Sequence, residues 1–220
     1  MTAAKDPSDA GEKLARANRQ AFDAAGVATF SIVGPAGSGK TSLVESLLLR
    51  IAPPLRSAVI MANLGADRQI SRITRHGYQA IPIKADRLTA NHVYEVLPQI
   101  NLTDLNLLFI EADGNSPSAV ELDLGHHYRV GVFSAAGGDD KVNEFPYLVA
   151  RSDLVLLTKI DLMPFVTFDV KAFAEDVARI KPNLPLLQLS VQTGQGFNQV
   201  LDWVRFRLTG KNGARNGLTQ

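Results

Sequence analysis

Short, nearly unbroken apolar runs recur along the chain, at 28–33 (ATFSIV), 57–62 (SAVIMA), 105–110 (LNLLFI), 129–134 (RVGVFS), 154–158 (LVLLT) and 185–190 (PLLQLS). Runs of this length with little polar alternation predict strands buried on both faces. Between them, apolar residues recur at helical spacing from Thr41 to about Ile51 and near 66–76, 90–99, 141–150, 169–180 and 196–208. Pro53 and Pro54 stop the first of these helices. Ahead of the first strand, residues 11–25 set Leu14, Ala17 and Phe22 at helical spacing and end at Gly26. Strands alternating with helices predict an α/β fold, a mostly parallel sheet flanked by helices on both faces. Residues 1–10 and 210–220 are polar and read as disordered tails around a single domain, 11–209.

Composition narrows the classes. The 220 residues suffice for one domain with a proper core. A net charge of +1 gives no electrostatic footprint for nucleic acid or an anionic membrane. No apolar run approaches the ~20 residues that span a bilayer, and the start MTAAKDPSDAGEK is neither a signal nor a transit peptide. A cytoplasmic protein is expected. There is no cysteine, which removes disulfides, thiolate metal sites and cysteine nucleophiles together.

The first strand runs into Gly34-Pro35-Ala36-Gly37-Ser38-Gly39-Lys40-Thr41-Ser42. The pattern Gly-x4-Gly-Lys-Thr lets the backbone curl so that its N–H groups face phosphate oxygens, and the following helix adds its positive end. Lys40 is expected at the β and γ phosphates and the Thr41 hydroxyl on Mg²⁺. A chance match in a chain of this size is a roughly 1% event, and the flanking strand and helix supply the required context. The fold expected is the three-layer P-loop NTPase fold.

The strand 154–158 leads into Thr158-Lys159-Ile160-Asp161, about 120 residues after the phosphate loop. The Asp161 carboxylate can accept from guanine N1–H and its 2-amino group. Adenine lacks that donor pair, so the buried acid would lose its partner. The Lys159 stem would pack over the base. Ser190, Val191 and Gln192 follow the next strand, where such loops contact the guanine oxygen. GTP is therefore expected over ATP.

Four stretches resemble the HypB family of hydrogenase maturation GTPases: 17–45, 107–115 (LLFIEADGN), 137–173 (GGDDKVNEFPYLVARSDLVLLTKIDLMPFVTFDVKAF) and 190–204 (SVQTGQGFNQVLDWV). The resemblance implies the SIMIBI class of P-loop GTPases, GTP/GDP and Mg²⁺ as ligands, a GTP-dependent homodimer and a metalloenzyme client. It places Glu111 and Gly114 in the Mg²⁺ and γ-phosphate sensing segment, with Glu111 on a Mg²⁺ water and the Gly114 N–H on the γ-phosphate. Asp113 is not typical of the family there and would supplement or replace Glu111. Asp139, Asp140 and Lys141 match an acidic-lysine turn that faces either a second protomer or solvent.

The chain also departs from that family. Asp86-Arg87 stand where a Cys-His pair would ligate Ni²⁺ or Zn²⁺, and Ser118 stands near the place of a second cysteine. An arginine is the opposite of a ligand and suggests an ion pair instead. Adjacent His126 and His127 are poorly placed to share one metal, and a His92–Asp86 site shared across a dimer is the alternative. All four histidines, His76 included, read as surface or partner-contact residues. In MANLGADRQ, Asn63 replaces an acidic residue, with Asp67 as a possible substitute in Mg²⁺ binding. Mg²⁺ is thus expected on Thr41 and on Glu111 or Asp113. No catalytic glutamine is visible, so hydrolysis is expected to be slow without a partner, with Arg68, Arg72 or Arg87 of a second protomer as the candidate arginine finger. The expected function is an accessory GTPase for a metalloenzyme. The alternative is a nucleotide-gated scaffold that has lost metal delivery.

Overall fold

The computed structural model describes residues 7–51, 55–62, 67–85 and 87–212. Among them, seven strands form one parallel sheet: β1 (Ala28–Gly34), β2 (Ser57–Ala62), β3 (Gln79–Ile83), β4 (Leu107–Asp113), β5 (Tyr128–Ser134), β6 (Leu154–Thr158) and β7 (Leu186–Gln188). Their order is β3-β2-β4-β1-β5-β6-β7. The helices are α1 (Pro7–Ala25), α2 (Lys40–Ile51), α3 (Asp67–Thr74), α4 (Ala90–Val96), α5 (Pro117–Val120), α6 (Lys141–Glu144), α7 (Pro146–Arg151), α8 (Val170–Ile180) and α9 (Phe197–Asn212). None is long and apolar enough to cross a membrane.

Alternate residues of each central strand feed two cores. Phe30, Ile32, Leu107, Phe109, Leu154 and Leu156 meet α2, α3 and α9 through Leu43, Leu47, Ile73, Phe197 and Val204. Val33, Leu108, Ile110, Val155 and Leu157 meet the other helices through Phe22, Val93, Leu148, Phe173 and Val177. This is why the runs read as continuous: both phases of the pleat are buried.

Three features differ from the expectations. β3 (QAIPI) was not predicted. It is an edge strand with a partly exposed pattern, and Pro82 lies within it, which disguises it as a turn. The helix expected over 141–150 is broken at Phe145, because Pro146 opens a new helix. Helix α1 begins at Pro7 and α9 continues to Asn212, a few residues beyond the bounds read for the tails. Pro53 and Pro54 lie outside the described residues.

Candidate functional site

All seven strands point the same way, so the loops after β1, β4 and β6 meet at one end of the sheet. Ligands of open parallel sheets bind in that crevice.

Gly34–Ser42 leaves β1 and turns into α2. Gly37 and Gly39 have φ of +77° and +92°, a left-handed backbone that only glycine adopts freely. Lys40 Nζ donates to Gly34 O at 2.7 Å and Pro35 O at 3.0 Å, so the loop curls around its own lysine. Burial lowers the Lys40 pKa, and the carboxylates of Glu111 and Asp113 oppose that shift.

Thr41 donates its hydroxyl to Glu111 Oε1 at 2.6 Å. Glu111 is buried near the end of β4, and its Oε2 has no hydrogen-bond partner among the described residues. Burial raises its pKa, while the Thr41 hydrogen bond and the charges of Lys40 and Arg72 oppose the rise. A buried carboxylate with an idle oxygen beside a hydroxyl is a donor set suited to a hard divalent cation such as Mg²⁺.

Gly114 is pressed against Gly34. A Cβ there would lie 2.7 Å from Gly34 N, Cα and C, and its N–H donates to Gly34 O at 3.1 Å. The next residue, Asn115, was not singled out from sequence. Its Oδ1 accepts from the Ala36 N–H at 3.1 Å, and its Nδ2 donates to Asp113 Oδ1 at 2.6 Å. Asp113 thus steadies the clasp between the β4 turn and the phosphate loop. Asparagine just after a strand-end glycine is a turn signal that points to it. A cavity of about 470 Å³ covers this end of the sheet, walled by Gly37, Lys40, Thr41, Arg72, Glu111 and Asp113.

Thr158 is buried and donates to Ser38 O at 2.6 Å, with Phe133 O 3.0 Å away. It ties β6 to the phosphate loop. Lys159 takes a left-handed backbone, φ +58°, and its Nζ donates to Gly37 O at 2.7 Å. A second cavity of about 230 Å³ is lined by Gly39, Ser42, Lys159, Asp161, Val191 and Gln192. Gly39, Ser42 and Lys159 are common to both cavities, so the two adjoin. Ser190 is fully buried and closes the turn behind it, accepting at Oγ from the Thr193 N–H at 3.1 Å.

Arg72 is in the wall of its own chain's cavity, where the sequence reading had it reaching from a second protomer. Arg68 and Arg87 are exposed. Asp139 accepts from the Asp169 N–H at 2.7 Å, Asp140 opens α6, and Lys141 pairs with Glu144 at 2.6 Å. Asn63 and Asp86 lie outside the described residues, as do the side chains of Asp67 and Ser118.

Two histidines read as surface residues have buried side chains. His127 Nδ1 accepts from the Thr29 N–H at 3.0 Å, and its Nε2 lies 2.9 Å from Asp23. His126 is 8% exposed beside Arg129 and Arg19, and burial first, then these cations, hold its pKa well below the usual value. The His127 ring links Asp23 of α1 to Thr29 of β1, a role that adjacency in sequence does not reveal. Among the described residues, no group of three or more His, Cys, Asp or Glu is arranged to hold a metal ion.

Comparison with known proteins places this geometry. The family described as "CobW/HypB/UreG, nucleotide-binding domain" matches residues 28–188. The probable hydrogenase maturation factor HypB of Methanocaldococcus jannaschii is 35% identical over 204 residues, which cover 91% of this chain and 92% of that protein. The hydrogenase maturation factor HypB of Escherichia coli is 32% identical over 202 residues, covering 90% and 70%. Among solved structures, the hydrogenase maturation factor HypB of Archaeoglobus fulgidus superposes with a TM-score of 0.85 at 32% identity, covering 91% of this chain and 99% of that one. The chain belongs to the CobW/HypB/UreG family of P-loop nucleotide-binding proteins and is HypB-like within it.

Proposed function

We propose that this protein is a Mg²⁺-dependent GTPase that acts in the cytoplasm as an accessory factor in hydrogenase maturation. The observation that carries the GTPase reading is the pair of adjoining cavities that share Gly39, Ser42 and Lys159. The 470 Å³ cavity has Lys40, Thr41 and Glu111, and the 230 Å³ cavity has Asp161. The larger cavity fits a triphosphate cradled by the backbone of Gly34–Gly39 and by Ser42, with Lys40 countering charge on the transferred phosphoryl group. The smaller cavity fits a guanine held by Asp161, with Lys159 along its face and Val191 and Gln192 at its edge. Thr158 and Ser190 keep these groups in place through their own hydrogen bonds.

Thr41 and Glu111 would hold Mg²⁺, and the ion would supply charge for the β and γ phosphates. The Gly114 N–H, now on Gly34 O, is the contact a γ-phosphate can capture, with Asp113 and Asn115 following it. That exchange would make the GTP and GDP states different and would favour a GTP-dependent homodimer that engages a protein client. The relatives named above are maturation factors, so the accessory role is taken over a scaffold detached from metal delivery. Nickel, if handled as cargo, needs ligands other than cysteine, since the chain has none.

The test is titration of the purified protein with fluorescent GDP, then competition by GTP and ATP with and without Mg²⁺. GTP should displace the probe at far lower concentration than ATP, and Mg²⁺ should strengthen GTP binding. Equal competition by ATP would sink the guanine assignment. Turnover should be slow alone and rise when extract containing the apo-hydrogenase client is added. A strain lacking its own maturation GTPase tests the accessory role by recovery of hydrogenase activity.

A further inference from the structure

Glu45, on α2 one turn beyond Thr41, has more cations than it needs. It is buried, and three positively chargeable side chains from the end of α3 converge on it. Arg72 Nε donates to Oε2 at 3.0 Å, with Nη2 against the same oxygen. Arg75 Nη2 donates to Oε1 at 3.0 Å, and His76 Nε2 lies 3.4 Å from Oε1. Burial alone would raise the Glu45 pKa, but the hydrogen bonds and charges of Arg72 and Arg75 outweigh it and lower it.

The three are not equivalent. Arg72 is the one that walls the 470 Å³ cavity, beside Lys40, Thr41 and Glu111. Its Nη2 also donates to Ser42 Oγ at 3.1 Å, and Ser42 lines both cavities. Its charge is felt at Glu111. Arg72 therefore rests within the phosphate site, on a carboxylate that Arg75 can satisfy without it. A triphosphate presents more negative charge than one shared carboxylate, and guanidinium forks bind phosphate oxygens well.

We propose that Arg72 is the arginine finger of this site, supplied in cis. It rests on Glu45 and Ser42 in this structure and turns onto the transferred phosphoryl group when GTP binds, while Arg75 keeps Glu45 paired. The inference rests on the GTPase reading above. In the step it serves, a water oxygen bonds to the γ-phosphorus as the bond to the β–γ bridging oxygen breaks. The electron pair of that bond leaves with GDP, and the water's proton ends on the released phosphate. Arg72 stays charged and contributes hydrogen bonds to the equatorial oxygens, the role an arginine in cis has in other GTPases.

The test compares wild type with Arg72→Ala and Arg72→Lys in three measurements: GDP affinity, single-turnover GTP hydrolysis at saturating GTP and Mg²⁺, and capture of GDP with aluminium fluoride. Both variants should still bind GDP, because Lys40 and the loop N–H groups remain, with the far larger loss falling on hydrolysis. Hydrolysis should fall by about 10³-fold in Arg72→Ala, and the aluminium fluoride complex should not form. Arg72→Lys should recover little, since an ammonium lacks the planar fork. A mixture of Arg72→Ala with Lys40→Ala separates cis from trans. The first chain keeps Lys40 and the second keeps Arg72, so turnover in the mixture should stay as low as in Arg72→Ala alone. Unaltered hydrolysis in Arg72→Ala, or recovered turnover in the mixture, would overturn the assignment while leaving the GTPase reading intact. A wild-type protein that neither binds GDP nor hydrolyses GTP would sink both.

Discussion

Replacing Gly114 by alanine probes how the β4 turn is coupled to the phosphate loop. The added Cβ would stand 2.7 Å from three backbone atoms of Gly34, where ordinary contact begins at 3.4 Å. The shortfall of 0.7 Å (3.4 less 2.7) must be met by backbone, which yields poorly. Gly34 has little room to retreat, because a Cβ on Gly34 itself would lie 2.3 Å from Val132 O of β5. The strain then falls on the loop that follows Gly34. Overpacking of this kind costs about 1–3 kcal/mol, which in a domain of this size lowers Tm by about 2–4 °C for each kcal/mol.

Binding should suffer as well. Each hydrogen bond to a charged phosphate contributes about 1.5–3 kcal/mol, so misaligning one loop N–H weakens GDP binding by roughly 10- to 100-fold. Calorimetry and fluorescent-GDP titration measure the two effects. Gly11→Ala is the control: the same methyl is added in the exposed interior of α1 with nothing within 4 Å. It should raise stability by about 0.5–1 kcal/mol and leave GDP affinity unchanged. Wild-type Tm and affinity in Gly114→Ala would refute the claim that this contact sets the position of the phosphate loop.

Asp161→Asn should weaken GTP by roughly 10- to 100-fold, the effect of leaving a hydrogen-bonding partner unpaired. It should favour xanthosine triphosphate, whose 2-position carbonyl accepts from the new amide; competition binding with the two nucleotides reads this out. Thr158→Val leaves Ser38 O without its hydroxyl donor in a buried place, so it should cost about 1–3 kcal/mol of stability, measured by urea unfolding, whereas Thr158→Ser should cost less. His126 has a folded pKa depressed below 6.5 by burial. The unfolded chain therefore binds the extra proton first, and stability present above pH 6.5 is lost as pH falls through the folded value. Unfolding midpoints from pH 7.5 downward should fall less steeply in His126→Gln; parallel curves would remove His126 from the account.

Much of the sheet was legible because its strands are buried on both faces and carry unbroken apolar runs. β3 was not, because an edge strand with one exposed face and an internal proline leaves no such run. The phosphate loop was legible as a motif because its chemistry is local: glycines, a lysine and a threonine act within one turn. Thr158 shows the limit of that kind of reading. Its place in the TKID tetrapeptide suggested contact with the base, yet its hydroxyl is spent on Ser38 O, 120 positions earlier. His127 likewise finds Thr29 across 98 positions, a partner that no local pattern names.

Arg72 falls between these cases. Arg72, Arg75 and His76 are spaced i, i+3 and i+4, which places them on one side of a helical turn, so their grouping could be read from the sequence. What they meet could not. Ile73 is fully buried in the core beneath α2, and that apolar anchor turns the neighbouring basic residues toward Glu45. Once α3 is docked this way, the residue nearest the start of the trio is carried to the cavity wall, and the two behind it are left to satisfy the carboxylate. The burial of Ile73 in the core thus helps set the side of α3 from which Arg72 reaches the cavity wall. Moving that anchor, for example with Ile73→Ala, should loosen Arg72 from the site and slow hydrolysis even though no phosphate contact is touched.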